Sequence, residues 1–150
     1  MKIDPYKHEE RYSKWKEEVL ASGVPNVSKK NSDLIIQYVT DMEHGLNVST
    51  VSVKGGRSFI RLNTIREKMN FFSLRFKELY NLDDITQITE PQLILFFSKM
   101  HKGEIVRNDG KQYMSVNYFV KCFKAFWHWW QTINRKKGIT IEDITVDLDS

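Results

Sequence analysis

The residues that could perform chemistry in this 150-residue chain are few and widely spaced. Four histidines, at positions 8, 44, 101 and 128, and the single Cys122 show none of the short spacings that metal ligands adopt. Gly55-Gly56 lacks the further glycines and the Lys-Ser/Thr pair of a phosphate-binding loop. The acidic pairs Asp83-Asp84 and Glu142-Asp143 lie in a predicted turn and in the tail, where a helix start and the solubility of the chain account for the carboxylates without a catalytic role. We therefore expect no catalytic residue, no metal and no cofactor in this chain.

Cationic side chains are concentrated in the middle of the chain. Residues 1–46 carry seven Lys and Arg against eight Asp and Glu, residues 47–138 carry sixteen against seven, and residues 139–150 carry none against four. A basic body of net charge +9 with an acidic tail is typical of a domain that binds a polyanion, although solubility alone explains part of such a surplus. The charge pattern therefore favours nucleic acid as the partner.

The composition is that of one globular domain. An apolar content of 41% with 13% aromatic residues is enough for a single core. The chain shows no signal-peptide pattern and no apolar run long enough to span a bilayer, so we expect a soluble, cytoplasmic protein that does not bind membranes. Cys122 lies among aromatic residues and is expected to be a small core side chain.

An aromatic-rich stretch, residues 115–138, predicts the central helix. Its apolar residues recur at helical spacing and cover most of the circumference. Ser115 is the predicted N-cap, and Gly138 suits the left-handed position after the helix. A narrow polar strip is left, formed by Asn117, Lys121, Lys124, His128 and Gln131.

Further helical periods predict an all-α fold, a compact bundle of four core helices plus an N-terminal helix. The N-terminal helix is predicted to begin at Asp4-Pro5, and the second helix to take Asn31 or Ser32 as its N-cap. The predicted core helices span about 31–45, 57–80, 90–102 and 115–137. The third contains a regular apolar seam at spacings of three and four residues, formed by Leu62, Ile65, Met69, Phe72, Phe76 and Leu79. Asn108-Asp109-Gly110 predicts a tight turn before the last helix. The residues expected to form one core are Ile65, Met69, Phe72, Phe76, Phe119, Phe123, Trp127 and Trp130.

Three segments contain recognisable motifs: residues 31–46 (NSDLIIQYVTDMEHGL), residues 82–97 (LDDITQITEPQLILFF) and residues 113–130, which end in Phe-Trp-His-Trp-Trp. In this order they resemble the opening helix, the Leu-Asp-Asp-Ile-Thr step and the Phe-x-x-Trp helix of one domain family. That family is the SAM-like, N-terminal core-binding domain of tyrosine recombinases, the phage integrases, most closely of the archaeal type. The resemblance covers about residues 31–140, with an apparent insertion at 48–54.

The resemblance implies a DNA-binding module of a site-specific recombinase. Such a module clamps double-stranded DNA, while a catalytic domain beyond this C-terminus cuts and rejoins the strands. We accordingly divide the chain into an N-terminal helix and connector (1–30), a core-binding domain (31–138) and a linker (139–150). The full-length protein is expected to self-associate on DNA, and this fragment to be a monomer. The residues His8-Glu9-Glu10-Arg11 spell the family's catalytic His-x-x-Arg, but we interpret them as a chance match.

In the family, the third and fifth helices meet DNA through their N-terminal halves. The resemblance therefore implies one concave DNA-binding face, with Lys121 and Lys124 as its strongest members because they occupy the polar strip of a core helix. For each cation of the third helix, the alternative is a long side chain that covers the edge of the core. The implied DNA-binding residues are Arg57, Arg61, Lys111, Asn117, Lys121 and Lys124.

Two other functions remain open from the sequence. A helical protein-interaction domain would present the aromatic helix to a partner. A helix-turn-helix regulator is less favoured, because the predicted connections exceed the three- or four-residue turn of that motif.

Overall fold

The computed structural model describes residues 6–48 and 55–148, and these residues confirm the predicted all-α fold class. Its elements are α1 (His8–Ser22), α2 (Lys29–His44), α3 (Phe59–Tyr80), a short 3-10 turn at Ile85–Gln87, α4 (Glu90–His101) and α5 (Val116–Arg135). The predicted start at Asp4-Pro5 and most of the insertion at 48–54 lie outside the described residues. No helix in the described ranges combines the length and apolarity needed to cross a membrane.

The chain divides into two units, residues 1–86 with α1 to α3 and residues 87–150 with α4 and α5. This boundary differs from those inferred from the sequence at 30/31 and 138/139. The first four predicted core residues, Ile65 to Phe76, belong to the first unit, and the other four belong to the second.

In the first unit, α3 packs against both α1 and α2. The predicted seam on α3 is buried, because its spacings of three and four residues place every member on one helix face. Leu79 is the exception, since it is 40% exposed. The residues that form this core are Tyr12 and Val19 of α1, Leu34, Ile35, Tyr38, Val39 and Met42 of α2, and Leu62, Ile65, Met69, Phe72 and Phe76 of α3.

The predicted N-cap of α2 was wrong. Ser28 caps the helix, since its Oγ accepts a hydrogen bond from the amide of Asn31 at 3.1 Å. The buried side chain of Asn31 instead accepts the amide of Ile85 at 2.8 Å, and the buried Ser32 hydroxyl accepts the amide of Val24 at 2.8 Å. Buried backbone N–H groups need acceptors, so both polar side chains serve loops that pack against α2.

In the second unit, α4 begins with a capping box, as Thr89 Oγ1 accepts from the Gln92 amide at 3.3 Å and Gln92 Oε1 accepts from the Thr89 amide at 3.0 Å. Its Phe97 ring lies edge-on to Phe123 of α5, with ring centroids 6.4 Å apart. The loop between the two helices contains a tight turn at the predicted Asn108-Asp109-Gly110, closed by a hydrogen bond from the Gly110 amide to the Arg107 carbonyl at 2.9 Å.

Helix α5 differs from the prediction at two points. Trp129 is buried, at 1% exposure, whereas the adjacent Trp130 is only partly buried. Cys122 and Trp129 are buried in addition to the expected Phe119, Phe123 and Trp127, so the buried face extends beyond the predicted one. Ser115 precedes the helix in a left-handed conformation and makes no side-chain cap. Gly138 has the predicted positive φ of 80°.

Candidate nucleic-acid interface

The N-terminal half of the polar strip on α5 is open to solvent. Asn117 and Lys121 are exposed and Lys124 is partly exposed. Their spacing of four and three residues places them on one face of the helix. Within the described part of the chain, neither lysine forms an ion pair with an acidic side chain. Two ammonium groups are thus available to an anionic ligand.

The C-terminal half of the same strip is covered by the acidic tail, residues 139–148. Gln131 Nε2 donates to the carbonyl of Ile141 at 2.9 Å, and His128 Nε2 lies 3.3 Å from Asp143 Oδ2. On the neighbouring face, Trp127 Nε1 donates to the carbonyl of Glu142 at 2.8 Å. The tail is therefore packed on α5, which its prediction as a linker did not anticipate, and His128 is bound to the tail.

Buried residues and a local turn hold the tail in this position. The side chains of Ile144, Thr145 and Leu148 are buried. Asp143 Oδ1 accepts hydrogen bonds from the amide and the hydroxyl of Thr145, at 2.9 Å and 2.6 Å. Burial alone would raise the pKa of Asp143, but these hydrogen bonds and the nearby His128 lower that pKa below its ordinary value.

Lys111 lies on a short hairpin that precedes α5. An isolated bridge pairs Val106 with Gln112, and the amide of Arg107 donates to the carbonyl of Lys111 at 2.8 Å. The ring of Tyr113 meets Phe119 of α5 edge-on, with centroids 5.5 Å apart. The structure therefore joins the hairpin that carries Lys111 to the first turn of the helix that carries Asn117, Lys121 and Lys124.

The two predicted arginines belong to the first unit, around the start of α3. The Arg57 amide donates to the carbonyl of Met42 at 3.0 Å, and its guanidinium donates to the carbonyl of Gly55 at 3.2 Å. Ser58 caps α3 by accepting the Arg61 amide at 3.2 Å. Both arginine side chains are partly exposed. Of the six predicted DNA-binding residues, two thus belong to the first unit and four to the second, and one shared concave face stays a prediction.

Other cations of the first unit have structural roles. Lys16 Nζ lies 2.6 Å from Thr40 Oγ1 and 3.2 Å from Glu43 Oε1, and the Tyr12 hydroxyl donates to the same carboxylate at 2.6 Å. Burial raises the pKa of Tyr12 far above its usual value. Burial would also raise the pKa of Glu43, but the hydrogen bonds from Tyr12 and Lys16 lower it. This cluster joins α1 to α2, so Lys16 is not available to DNA.

A second such cation joins α1 to α3. The Arg66 guanidinium lies 5.2 Å from the centroid of the Trp15 ring, and its Nε donates to Asn63 Oδ1 at 2.8 Å. The side-chain amide of Asn63 donates in turn to the carbonyl of His8 at 2.9 Å. Burial lowers the pKa of Arg66. This arginine covers the edge of the core, which is the alternative that the sequence left open for each cation of the third helix.

Among the described residues, no three histidine, cysteine or carboxylate side chains come together in a way that could hold a metal ion. The arrangement that remains is a row of solvent-facing cations on α5 next to a cationic hairpin, which suits a polyanion. No family model, curated protein or solved structure matches this chain.

Proposed function

We propose that this chain is the DNA-binding module of a site-specific tyrosine recombinase, and that the exposed row Asn117, Lys121 and Lys124 binds the phosphate backbone of duplex DNA. Strand cleavage and rejoining are assigned to a catalytic domain outside residues 1–150. The observation that carries the proposal is the pair of lysines without an ion pair in the described residues, on a helix whose remaining faces are largely buried.

The chemistry of this row fits a phosphate backbone. Lysine is a compact point charge that binds phosphate without strict geometry, and an asparagine amide donates hydrogen bonds to the same oxygens. Lys121 and Lys124 are three residues apart, so their Cβ atoms are about 5–6 Å apart on the helix surface. Buried aromatic residues of α5 pack the helix against its neighbours, and a binding row on a packed helix loses less conformational entropy on binding than a row on a loop.

The competing function, a protein-interaction domain that presents the aromatic helix, needs that face to be exposed. Phe123 and Phe126 are 0% exposed, Trp127 is 3% exposed and Trp129 is 1% exposed. A helix-turn-helix is also disfavoured, because the shortest connection between described α-helices, residues 23–28, is longer than the turn of that motif. Both observations support the recombinase module over its alternatives.

The test is a fluorescence anisotropy titration of a labelled 30-base-pair duplex with the full chain at several salt concentrations. Each phosphate contact contributes about 0.9 to the slope of log K against log salt. The double change Lys121→Ala and Lys124→Ala should therefore flatten the slope by about 1.8 and weaken binding about 60-fold at about 0.1 M salt. Alanine favours helix at these positions, so the fold should be kept.

The matched control is the double change Lys14→Ala and Lys30→Ala. Both control lysines are exposed on helices, and the net charge changes by the same amount. The control should leave the slope within about 0.5 of the wild-type value, since these residues contact no phosphate in the proposal. If the two variants lose the same affinity for the duplex, the loss comes from net charge, and the proposed contacts of Lys121 and Lys124 are wrong. If the wild-type chain binds no duplex, the proposed function is refuted.

A further inference from the structure

The hairpin before α5 presents a charged tip on a fixed base. Residues 107 to 111 are all exposed, whereas Ile105 at the start of the hairpin is 5% exposed. At the other end, Tyr113 packs against Phe119. Gln112 lies so close to Gly103 that a Cβ on that glycine would collide with it. The tip therefore projects from a base that is held by Ile105 on one side and by Tyr113 on the other.

Beside the tip lies a hollow of about 340 Å³, lined by Arg107, Asn108, Asp109 and Tyr113. Three of these side chains carry hydrogen-bond donors: a guanidinium, a carboxamide and a phenol hydroxyl. Such a set of donors is suited to the oxygens of a phosphate group. The hollow is polar and shallow, and a phosphate of an extended backbone could enter it without separating the base pairs.

Asp109 is the one anionic group in the lining, and it has two partners. Its Oδ2 lies 3.2 Å from Arg107 Nη2, with the two side chains 44% and 52% exposed. Its Oδ1 accepts the amide of Lys111 at 3.0 Å and so supports the turn. An exposed ion pair of this kind contributes little to stability, so a phosphate can take the place of the carboxylate at Arg107.

We propose that this hairpin is a second DNA-contacting element, in which Arg107 and Asn108 bind a backbone phosphate of the same duplex that lies along Lys121 and Lys124. The inference rests on the proposed function. It adds a contact that the sequence did not suggest, because Arg107 lies in a polar loop outside the helices. Asp109 regulates the contact, since it competes with the phosphate for the guanidinium.

The titration described above tests this contact with the change Arg107→Ala in the full chain. Loss of one phosphate contact should flatten the salt slope by about 0.9 and weaken binding about 8-fold at about 0.1 M salt. Arg107→Lys should keep the slope, since the charge remains. The matched control is Arg135→Ala, an exposed arginine in the last turn of α5, which should change neither quantity.

Asp109→Asn provides a test in which the expected result is a gain of affinity. The asparagine keeps an oxygen that can accept the Lys111 amide, and it suits the turn, but it releases Arg107. This variant should bind the duplex more tightly than the wild type and more tightly than the control Glu104→Gln, which removes one negative charge from the same loop without releasing Arg107. Should Arg107→Ala destabilise the fold, the comparison of Asp109→Asn with Glu104→Gln decides, and equal affinities of these two variants, or no gain over the wild type, would overturn the inference.

The two proposals fail in different ways. If Arg107→Ala behaves like Arg135→Ala while the lysine double variant loses affinity, the hairpin contact is wrong and the proposed function stands. If the wild-type chain binds no duplex at any salt concentration, both proposals are wrong. If Arg107→Ala, Asp109→Asn and the lysine double variant all change as expected, both are supported.

Discussion

Replacing Phe123 by alanine should cost about 3–5 kcal/mol of unfolding free energy, the range measured for buried Phe→Ala changes. Phe123 is 0% exposed. Its ring lies 6.0 Å from that of Trp127 at an interplanar angle of 18°, 6.0 Å from that of Phe126 and 6.4 Å from that of Phe97. Rigid rings on several sides cannot collapse into the vacated space, so we expect the upper half of the range.

Urea unfolding, followed by circular dichroism at 222 nm, measures this loss. With a slope of about 2 kcal/mol per molar urea, a loss of about 4 kcal/mol moves the midpoint by about 2 M. The control is Tyr118→Ala on the same helix, where the side chain is 37% exposed and the expected loss is below about 1.5 kcal/mol. A loss below about 1 kcal/mol for Phe123→Ala, or equal losses in both variants, would show that the buried face of α5 is assigned incorrectly.

Three further predictions concern the first unit, the tail and catalysis. Asn31→Ala should cost about 1–3 kcal/mol in urea unfolding, because the buried amide of Ile85 loses its acceptor, whereas the exposed Gln37→Ala should cost little. The folded-state pKa of Asp143 is lowered, so the contribution of this carboxylate to tail docking should be complete above about pH 4 and lost as the pH falls through the folded-state pKa. Fluorescence of Trp127, which contacts the tail, measures the docking, and Asp143→Asn should remove its pH dependence. Supercoiled plasmid should remain unchanged with the full chain, and relaxation or a covalent tyrosine–DNA adduct from pure protein would contradict the assignment of catalysis elsewhere.

The helices could be predicted because each buries one face, and burial imposes a period that a single sequence displays. The seam of α3 and the capping residues of α4 are local patterns of this kind. The N-cap of α2 could not be predicted in the same way. Asn31 and Ser32 are both good N-cap residues, and only the fold shows that Asn31 is needed by Ile85, 54 residues later.

The buried face of α5 shows a second limit of the sequence. Trp129 and Trp130 are adjacent, and the helix is apolar around most of its circumference, so the period alone cannot decide which indole is covered. That choice depends on the neighbours that pack against the helix. The structure buries Trp129, Phe126 and Cys122, which lie on one face at spacings of three and four residues.

The packing of the tail on α5 left almost no sequence signal, for a physical reason that bears on the proposed function. Trp127 and Gln131 donate to main-chain carbonyls of the tail, and any residue type supplies a carbonyl. The remaining signals, Asp143 two residues before Thr145 and isolated apolar residues, are typical of many loops. Because the tail covers the C-terminal half of the polar strip, the proposed phosphate contacts of α5 are restricted to its N-terminal half. That half carries Lys121 and Lys124 and adjoins the hairpin, so both proposed contacts lie toward the same end of the helix.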